Sequence, residues 1–224
     1  SDLTTIENWI RFWVENGIYA EAVGDHEAFI RERVFQLAID WLENEAAKQG
    51  KPWVLYVSYP SAHPPFSIPQ RLWDMYPVDE MPLPVAFRDG ECPTHPAYEH
   101  LRRTKAIGPL DGSHEDMLRR DAAGYFGLVT HLDEQIGEVM TAAERLGVLD
   151  NTRVAYTSDH GESYGNHGLF GKCQLLETAA AVPLLMSGPG IPSGQVVDQI
   201  VSQVDLYPTI VETVGAKLED WKST

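Results

Sequence analysis

The sequence predicts an α/β protein in which a mostly parallel sheet is flanked by helices. Segments with helical spacing of apolar residues alternate with short β-prone runs, the pattern of strands joined by crossover helices. The chain has 224 residues, of which 43% are hydrophobic, so it can bury a core without disulfides. Because it contains neither an internal repeat nor a clean linker, we predict one domain over residues 1–224.

The first half contains one helix, one strand and a long connection. Apolar residues three or four apart predict a helix from Glu27 to Lys48, which Gly50 ends. The β-prone run at residues 53–59 predicts a buried strand. Residues 60–112 are rich in proline and predict an irregular excursion, which is too long for a plain connection and is therefore expected to be functional.

The second half returns to regular elements. Ser113 and Asp116 resemble a capping box, and helical spacing then continues from Leu118 to Leu146. Two further strands are predicted at residues 154–158 and 182–186, and a last short helix at residues 205–214.

Charge and cysteine content exclude several classes of function. With 17 Lys and Arg against 33 Asp and Glu, the net charge is −16, which disfavours binding to nucleic acid. No run approaches the ~20 apolar residues that a membrane span needs. Two cysteines exclude a disulfide framework and a cysteine-rich zinc site.

The densest polar cluster covers residues 158–168, directly after a predicted strand. Ligands of open α/β sheets bind beyond the carboxyl ends of the strands, so Asp159 and His160 lie where such a site is built. A carboxylate and an imidazole at this turn could both face one cation, and Gly161 would let the backbone turn away. The alternative interpretation of residues 158–168 is a polar, glycine-rich loop in which the histidines have no function.

His63 and Lys172 are the other candidates. His63 follows the first strand among prolines that restrict the backbone, so the two strands would aim polar groups at one crevice. Lys172 follows the polar cluster, where a cation could pair with an oxyanion. An ordinary loop histidine and a solvated surface lysine are the alternative interpretations.

Taken together, these motifs resemble the sulfatase family of the alkaline phosphatase superfamily over roughly residues 27–215. The motifs, in order, are Trp53-Val-Leu-Tyr-Val-Ser-Tyr, His63-Pro-Pro-Phe, Thr157-Ser-Asp-His-Gly-Glu162, His167-Gly-Leu-Phe-Gly-Lys172, Val182-Pro-Leu-Leu and Gly188-Pro-Gly190.

The resemblance implies an alkaline-phosphatase-like fold, a divalent cation, usually Ca²⁺, and a formylglycine that attacks the sulfur of a sulfate ester. It implies that Asp159 and His160 bind the metal, that Lys172 contacts the sulfate oxygens, and that His63 lies near the leaving-group oxygen. His167 lines the site in some relatives and is a secondary candidate. The substrate would be a small sulfate ester or a sulfated sugar.

Two motifs of the family do not occur in this sequence. They are the early Asp-Asp metal pair and the Cys/Ser-x-Pro-Ser-Arg nucleophile motif, and Cys92 and Cys173 lack its spacing. Both motifs normally precede everything matched here, and the chain starts at Ser1 with neither a Met nor a signal peptide. We therefore expect the later part of a larger sulfatase, a partial domain that is inactive alone.

Two other functions are compatible with the same residues. A phosphonate monoester or phosphodiester hydrolase of the same superfamily would present one metal to a similar tetrahedral oxyanion. A non-catalytic module that binds anions or sugars would explain the absent nucleophile, although such a module has no need of His63, Asp159, His160 and Lys172 together.

Overall fold

The computed structural model describes residues 20–23, 25–88, 90–104 and 112–215. Helices and strands follow in the order β1 (Ala20–Val23), α1 (Asp25–Asn44), β2 (Phe66–Pro69), α2 (Gln70–Trp73), α3 (Pro96–Thr104), α4 (Glu115–Arg145), β3 (Val154–Thr157), α5 (Glu177–Ala180), β4 (Leu184–Ser187) and α6 (Leu206–Thr213). These residues form two compact units. The first comprises residues up to 33, 59–137 and 160–182, and the second comprises residues 34–58, 138–159 and 183 onward.

The first unit is built on a parallel pair of strands. β1 pairs with β2 in a register that places Ala20 opposite Phe66. All four residues of β2 are buried, and Phe66 and Ile68 pack with Leu72 and Leu128 in an apolar core. Tyr125 meets the edge of the Phe66 ring, with ring centroids 5.6 Å apart. β2 therefore joins α2 and α4 into one core.

The proline-rich excursion is more ordered than the sequence predicts. It contains β2, α2 and α3, and Phe87 in its middle is buried against Leu118 and Phe170. Proline restricts the backbone without preventing short elements, since it is tolerated at the starts of helices and at sheet edges. Residues 105–111 of the predicted excursion, and the start at Ser1, lie outside the described residues.

The second unit has a helical core beside an antiparallel pair of strands. Leu42 and Ala46 pack against Ala143, and Trp41 meets Trp53 at 5.2 Å between ring centroids. β3 pairs with β4 in antiparallel fashion, so the predicted mostly parallel sheet is not what the described residues form. Parallel and antiparallel pairing involve the same apolar residues, and only the tertiary path of the chain decides between them.

The strand predicted over residues 53–59 is wrong for the described part of the chain. The segment carries no strand hydrogen bonds there, although its exposure alternates as in a strand. Trp53 and Leu55 pack into the second unit, whereas Val54 is 55% and Tyr56 86% exposed. A β-prone sequence becomes a strand only where a neighbouring strand satisfies its backbone groups.

The helix predictions are confirmed to within a few residues. α1, α4 and α6 match the segments predicted from helical spacing, and β3 and β4 match the two later strands. Within α4, Leu118, Ala122 and Leu132 are buried, whereas Val129 is 43% exposed. None of the helices in the described part of the chain has the length and hydrophobicity that crossing a bilayer requires.

Candidate active site

The loop after β3 folds back on itself. The Ser163 N–H donates to the Gly171 carbonyl at 3.1 Å, and the Gly165 N–H donates to the Leu169 carbonyl at 2.9 Å. The Gly161 N–H donates to the Ala179 carbonyl at 2.9 Å, which ties the loop to α5. The polar cluster predicted from sequence is therefore a closed, hydrogen-bonded loop.

Two glycines are required by this closure. A Cβ on Gly161 would lie 2.1 Å from the Thr178 carbonyl oxygen, so the close approach of α5 excludes a side chain. The sequence predicted that Gly161 lets the backbone turn away from the site. In the structure, a glycine is needed there because the backbone of Thr178 lies too close for a side chain. Gly165 has φ +100°, and a Cβ there would lie 2.8 Å from Leu118 and Pro84.

The structure brings His63 and Lys172 together, although 109 positions separate them in the chain. The Lys172 Nζ lies 2.5 Å from the His63 Nε2. The His63 side chain is exposed and Lys172 is half-buried. The two residues could thus face one bound ligand, as the sequence predicts, and their catalytic roles stay predictions.

The hydrogen bonds of His63 determine its tautomer. Its Nδ1 lies 2.7 Å from the Pro64 carbonyl oxygen, which can only accept, so Nδ1 carries the proton. Nε2 is then the acceptor nitrogen and receives a hydrogen bond from the Lys172 ammonium group. Nε2 is thus the ring nitrogen of His63 that faces Lys172.

The hydrogen bond of His160 to its own loop is compatible with metal binding through Nε2. Its Nδ1 donates to the Gly161 carbonyl at 2.9 Å, which leaves the lone pair on Nε2. The Asp159 side chain is exposed, and its backbone carbonyl accepts a hydrogen bond from Gln203 at 3.1 Å. The boundary between the two units falls between Asp159 and His160.

The donor chemistry of this pair fits a divalent cation, since a carboxylate and a neutral imidazole nitrogen are common metal ligands. Within the described residues, no three His, Cys, Asp or Glu side chains form a group that could hold a metal ion. Metal binding by Asp159 and by His160 stays a prediction.

His167 contributes to the structure of the loop through its backbone. Its N–H donates to the Val85 carbonyl at 2.9 Å, and its carbonyl accepts from Arg102 at 3.2 Å. It has φ +58°, and its buried Nδ1 has no hydrogen-bond partner among the described residues. These contacts tie the polar loop to the proline-rich excursion.

Two acidic candidates were missed in the sequence analysis, Glu162 within this loop and Asp121 in α4. Glu162 Oε1 accepts hydrogen bonds from the backbone N–H groups of Tyr164 and Gly171. Asp121 is 1% exposed, and its Oδ2 has no hydrogen-bond partner among the described residues. The available signal was an aspartate between Leu118 and Ala122, inside the apolar stripe of α4.

Burial raises the pKa of the Asp121 carboxyl to about 8, against the opposing charge of Arg120, and the charge of Glu162 adds to the increase. A raised pKa means that the folded chain holds a proton that the unfolded chain releases. This stabilisation is complete below the ordinary pKa of aspartate and is lost as the pH rises to about 8.

We therefore expect the free energy of unfolding to fall between pH 4 and pH 8 more steeply for the wild type than for Asp121→Asn. The difference should amount to a few kcal/mol across this range, since each pKa unit corresponds to ~1.4 kcal/mol. Urea denaturation at several pH values measures it. Parallel slopes for the two proteins would show that Asp121 does not titrate in the folded chain.

Comparison with known proteins identifies the class of this fold and site. A solved phosphonate monoester hydrolase, SpPMH from Silicibacter pomeroyi, superposes with a TM-score of 0.72 and 30% identity, over 83% of this chain and 38% of that one. The multifunctional alkaline phosphatase superfamily protein PehA of Trinickia caryophylli is 32% identical over 182 residues, which are 76% of this chain and 35% of PehA. The chain is thus a member of the alkaline phosphatase superfamily.

Within that superfamily, the Sulfatase family model matches residues 8–216, and the chain belongs to this family. The choline-sulfatase of Rhizobium meliloti strain 1021 is 31% identical over 199 residues, which are 88% of this chain and 37% of that enzyme. The chain therefore spans little more than a third of the length of these two curated relatives.

Proposed function

We propose that this chain is part of a sulfatase-type hydrolase that cleaves sulfate esters of a small molecule or a sugar at a divalent-metal site. The contact between Lys172 and His63 carries the proposal, because it joins a cation and a proton carrier from distant parts of the chain. Membership of the Sulfatase family supports the same reaction.

The two side chains suit opposite ends of a sulfate ester. The Lys172 ammonium group would donate to the sulfuryl oxygens, where negative charge increases as the S–O bond breaks. His63 would donate a proton from Nε2 to the departing alkoxide. Since Pro64 already accepts from Nδ1, a bound anion that draws Lys172 away would leave Nε2 open to protonation.

Asp159 and His160 would hold the cation, for which we propose Ca²⁺, and the metal would offset charge on the sulfate group. In sulfatases the nucleophile is a formylglycine, and residues 1–224 contain no sequence of the type that is converted to it. We propose that this chain is inactive alone and that catalysis requires the remainder of a sulfatase domain.

A phosphonate monoester hydrolase is the second candidate. SpPMH matches this chain at 30% identity, about as well as the choline-sulfatase does. Sulfuryl and phosphoryl groups present similar tetrahedral oxygens, so the contact between His63 and Lys172 suits both.

Turnover of matched aryl sulfate and aryl phosphonate esters tests the proposal, in the full polypeptide encoded by the gene that contains this chain. We expect the larger kcat/KM for the sulfate, and its loss in Lys172→Ala shows that no contaminating hydrolase is responsible. A larger value for the phosphonate would favour the second candidate. If neither ester is hydrolysed but sulfate binds, a non-catalytic anion-binding or sugar-binding remnant is the better interpretation.

A further inference from the structure

We propose that Glu162 is a positioning residue, which holds the Gly171–Lys172 segment so that Lys172 meets His63. The proposal deepens the proposed function and, for its effect on turnover, rests on it. The observation behind it is a convergence of backbone hydrogen bonds on one carboxylate oxygen.

Glu162 Oε1 accepts two backbone N–H groups from opposite sides of the loop. The Tyr164 N–H donates at 3.1 Å, and the Gly171 N–H donates at 2.5 Å. One oxygen thus joins the start of the loop to its end. A charged acceptor makes such hydrogen bonds stronger than a neutral acceptor does.

Gly171 is held on both sides of its Cα. Its N–H donates to Glu162, and its carbonyl accepts from the Ser163 N–H at 3.1 Å. That carbonyl belongs to the peptide bond that leads into Lys172. Gly171 has φ +71°, a conformation that side chains disfavour and that glycine adopts readily.

The direction of this peptide decides where Lys172 points. Its ammonium group reaches the His63 Nε2 at 2.5 Å, and His63 is itself held through Nδ1 by the Pro64 carbonyl. Without Glu162, the Gly171 N–H would have no acceptor of comparable strength, and the Lys172 side chain would lose its support. Glu162 would therefore support the contact between Lys172 and His63 through the backbone of Gly171.

Asp121, the other acidic residue near this loop, is not the acceptor of these backbone N–H groups. It is almost fully buried, and burial keeps its carboxyl protonated at neutral pH. Glu162 is the residue whose carboxyl oxygen both N–H groups contact.

The test uses NMR on the full chain with Glu162→Ala, Glu162→Gln and the control Glu177→Gln, which makes the same charge change at an exposed glutamate of α5. We expect the Gly171 amide to exchange with solvent about 10- to 100-fold faster in Glu162→Ala, because a hydrogen bond to a charged acceptor is lost. Glu162→Gln keeps a carbonyl acceptor and should show a smaller increase. Glu177→Gln should match the wild type.

The His63 Nε2 resonance gives a second measurement that does not require turnover. Lys172→Ala removes the hydrogen bond to Nε2 and shifts the resonance, and Glu162→Ala should shift it in the same direction. If Gly171 exchange or the His63 resonance is unchanged in a folded Glu162→Ala, the proposal is wrong. If that variant does not fold, Glu162→Gln decides by the same two measurements.

In the full polypeptide, Glu162→Ala should lower kcat by up to about 10²-fold with little change in KM, since misplacement of a catalytic group has this cost. In a Lys172→Ala background it should cause no further loss. Equal losses in both backgrounds would show that Glu162 acts independently of Lys172 and would overturn the proposal. If the wild type hydrolyses no ester, the proposed function fails, and the NMR measurements alone decide the role of Glu162.

Discussion

Replacing Lys172 by alanine in the full polypeptide is expected to lower kcat/KM by about 10²–10³ for every sulfate ester, whatever its leaving group. Lys172 would stabilise charge on the sulfuryl oxygens, which all such esters share. Steady-state kinetics on aryl and alkyl sulfates measures the loss. The uniformity of the effect across substrates is the feature that assigns Lys172 to the transferred group.

The matched control is Lys51→Ala, which removes an exposed ammonium group from the second unit. It should leave kcat/KM at the wild-type value, which excludes a general effect of net charge on the approach of an anionic substrate. A loss below tenfold in Lys172→Ala would contradict the proposed role.

Replacing His63 by alanine is expected to cost roughly 10²–10⁴ in rate for alkyl sulfates and much less for nitrophenyl sulfate. An acidic leaving group departs without a proton, so the contribution of a proton donor shrinks with leaving-group pKa. The slope of log kcat/KM against leaving-group pKa should therefore be steeper in His63→Ala than in the wild type.

His95→Ala provides the comparison, because it removes another exposed imidazole from the same unit. Its slope should equal that of the wild type. An equal defect of His63→Ala on nitrophenyl and alkyl esters would make His63 a residue that positions the substrate or supports the loop.

Measured together, the two variants test the arrangement of the site. Lys172 and His63 share one hydrogen bond, so their substitutions should be non-additive in the double variant. Their dependence on the leaving group should nevertheless differ, since one residue would act on the sulfuryl group and the other on the departing oxygen.

Local sequence patterns were sufficient for helices α1, α4 and α6, whereas α2, α3 and α5 were not predicted. The apolar stripe of α4 predicted an element of 31 residues to within a few positions, because a helix satisfies its own backbone hydrogen bonds. A β-prone run predicted β3 directly before the polar cluster.

Strand pairing was decided by the tertiary structure. Residues 53–58 have the composition and alternation of a strand, yet no described residue pairs with them. β2 lies within a proline-rich stretch in which the sequence analysis predicted no strand. It is fully buried because β1 and α4 lie against it. A strand depends on a partner that is distant in sequence, and no local pattern identifies that partner.

The sequence by itself determined the family, helices α1, α4 and α6, and the residues that carry the proposed chemistry, since these depend on local spacing and on motifs in a particular order. The tertiary structure alone decided which side chains meet. It placed Lys172 against His63, closed the loop on Glu162, and buried Asp121 so that its carboxyl keeps its proton. Contacts between distant residues and the loss of solvent around a buried carboxyl arise only when the chain has folded, because both depend on what packs around each group.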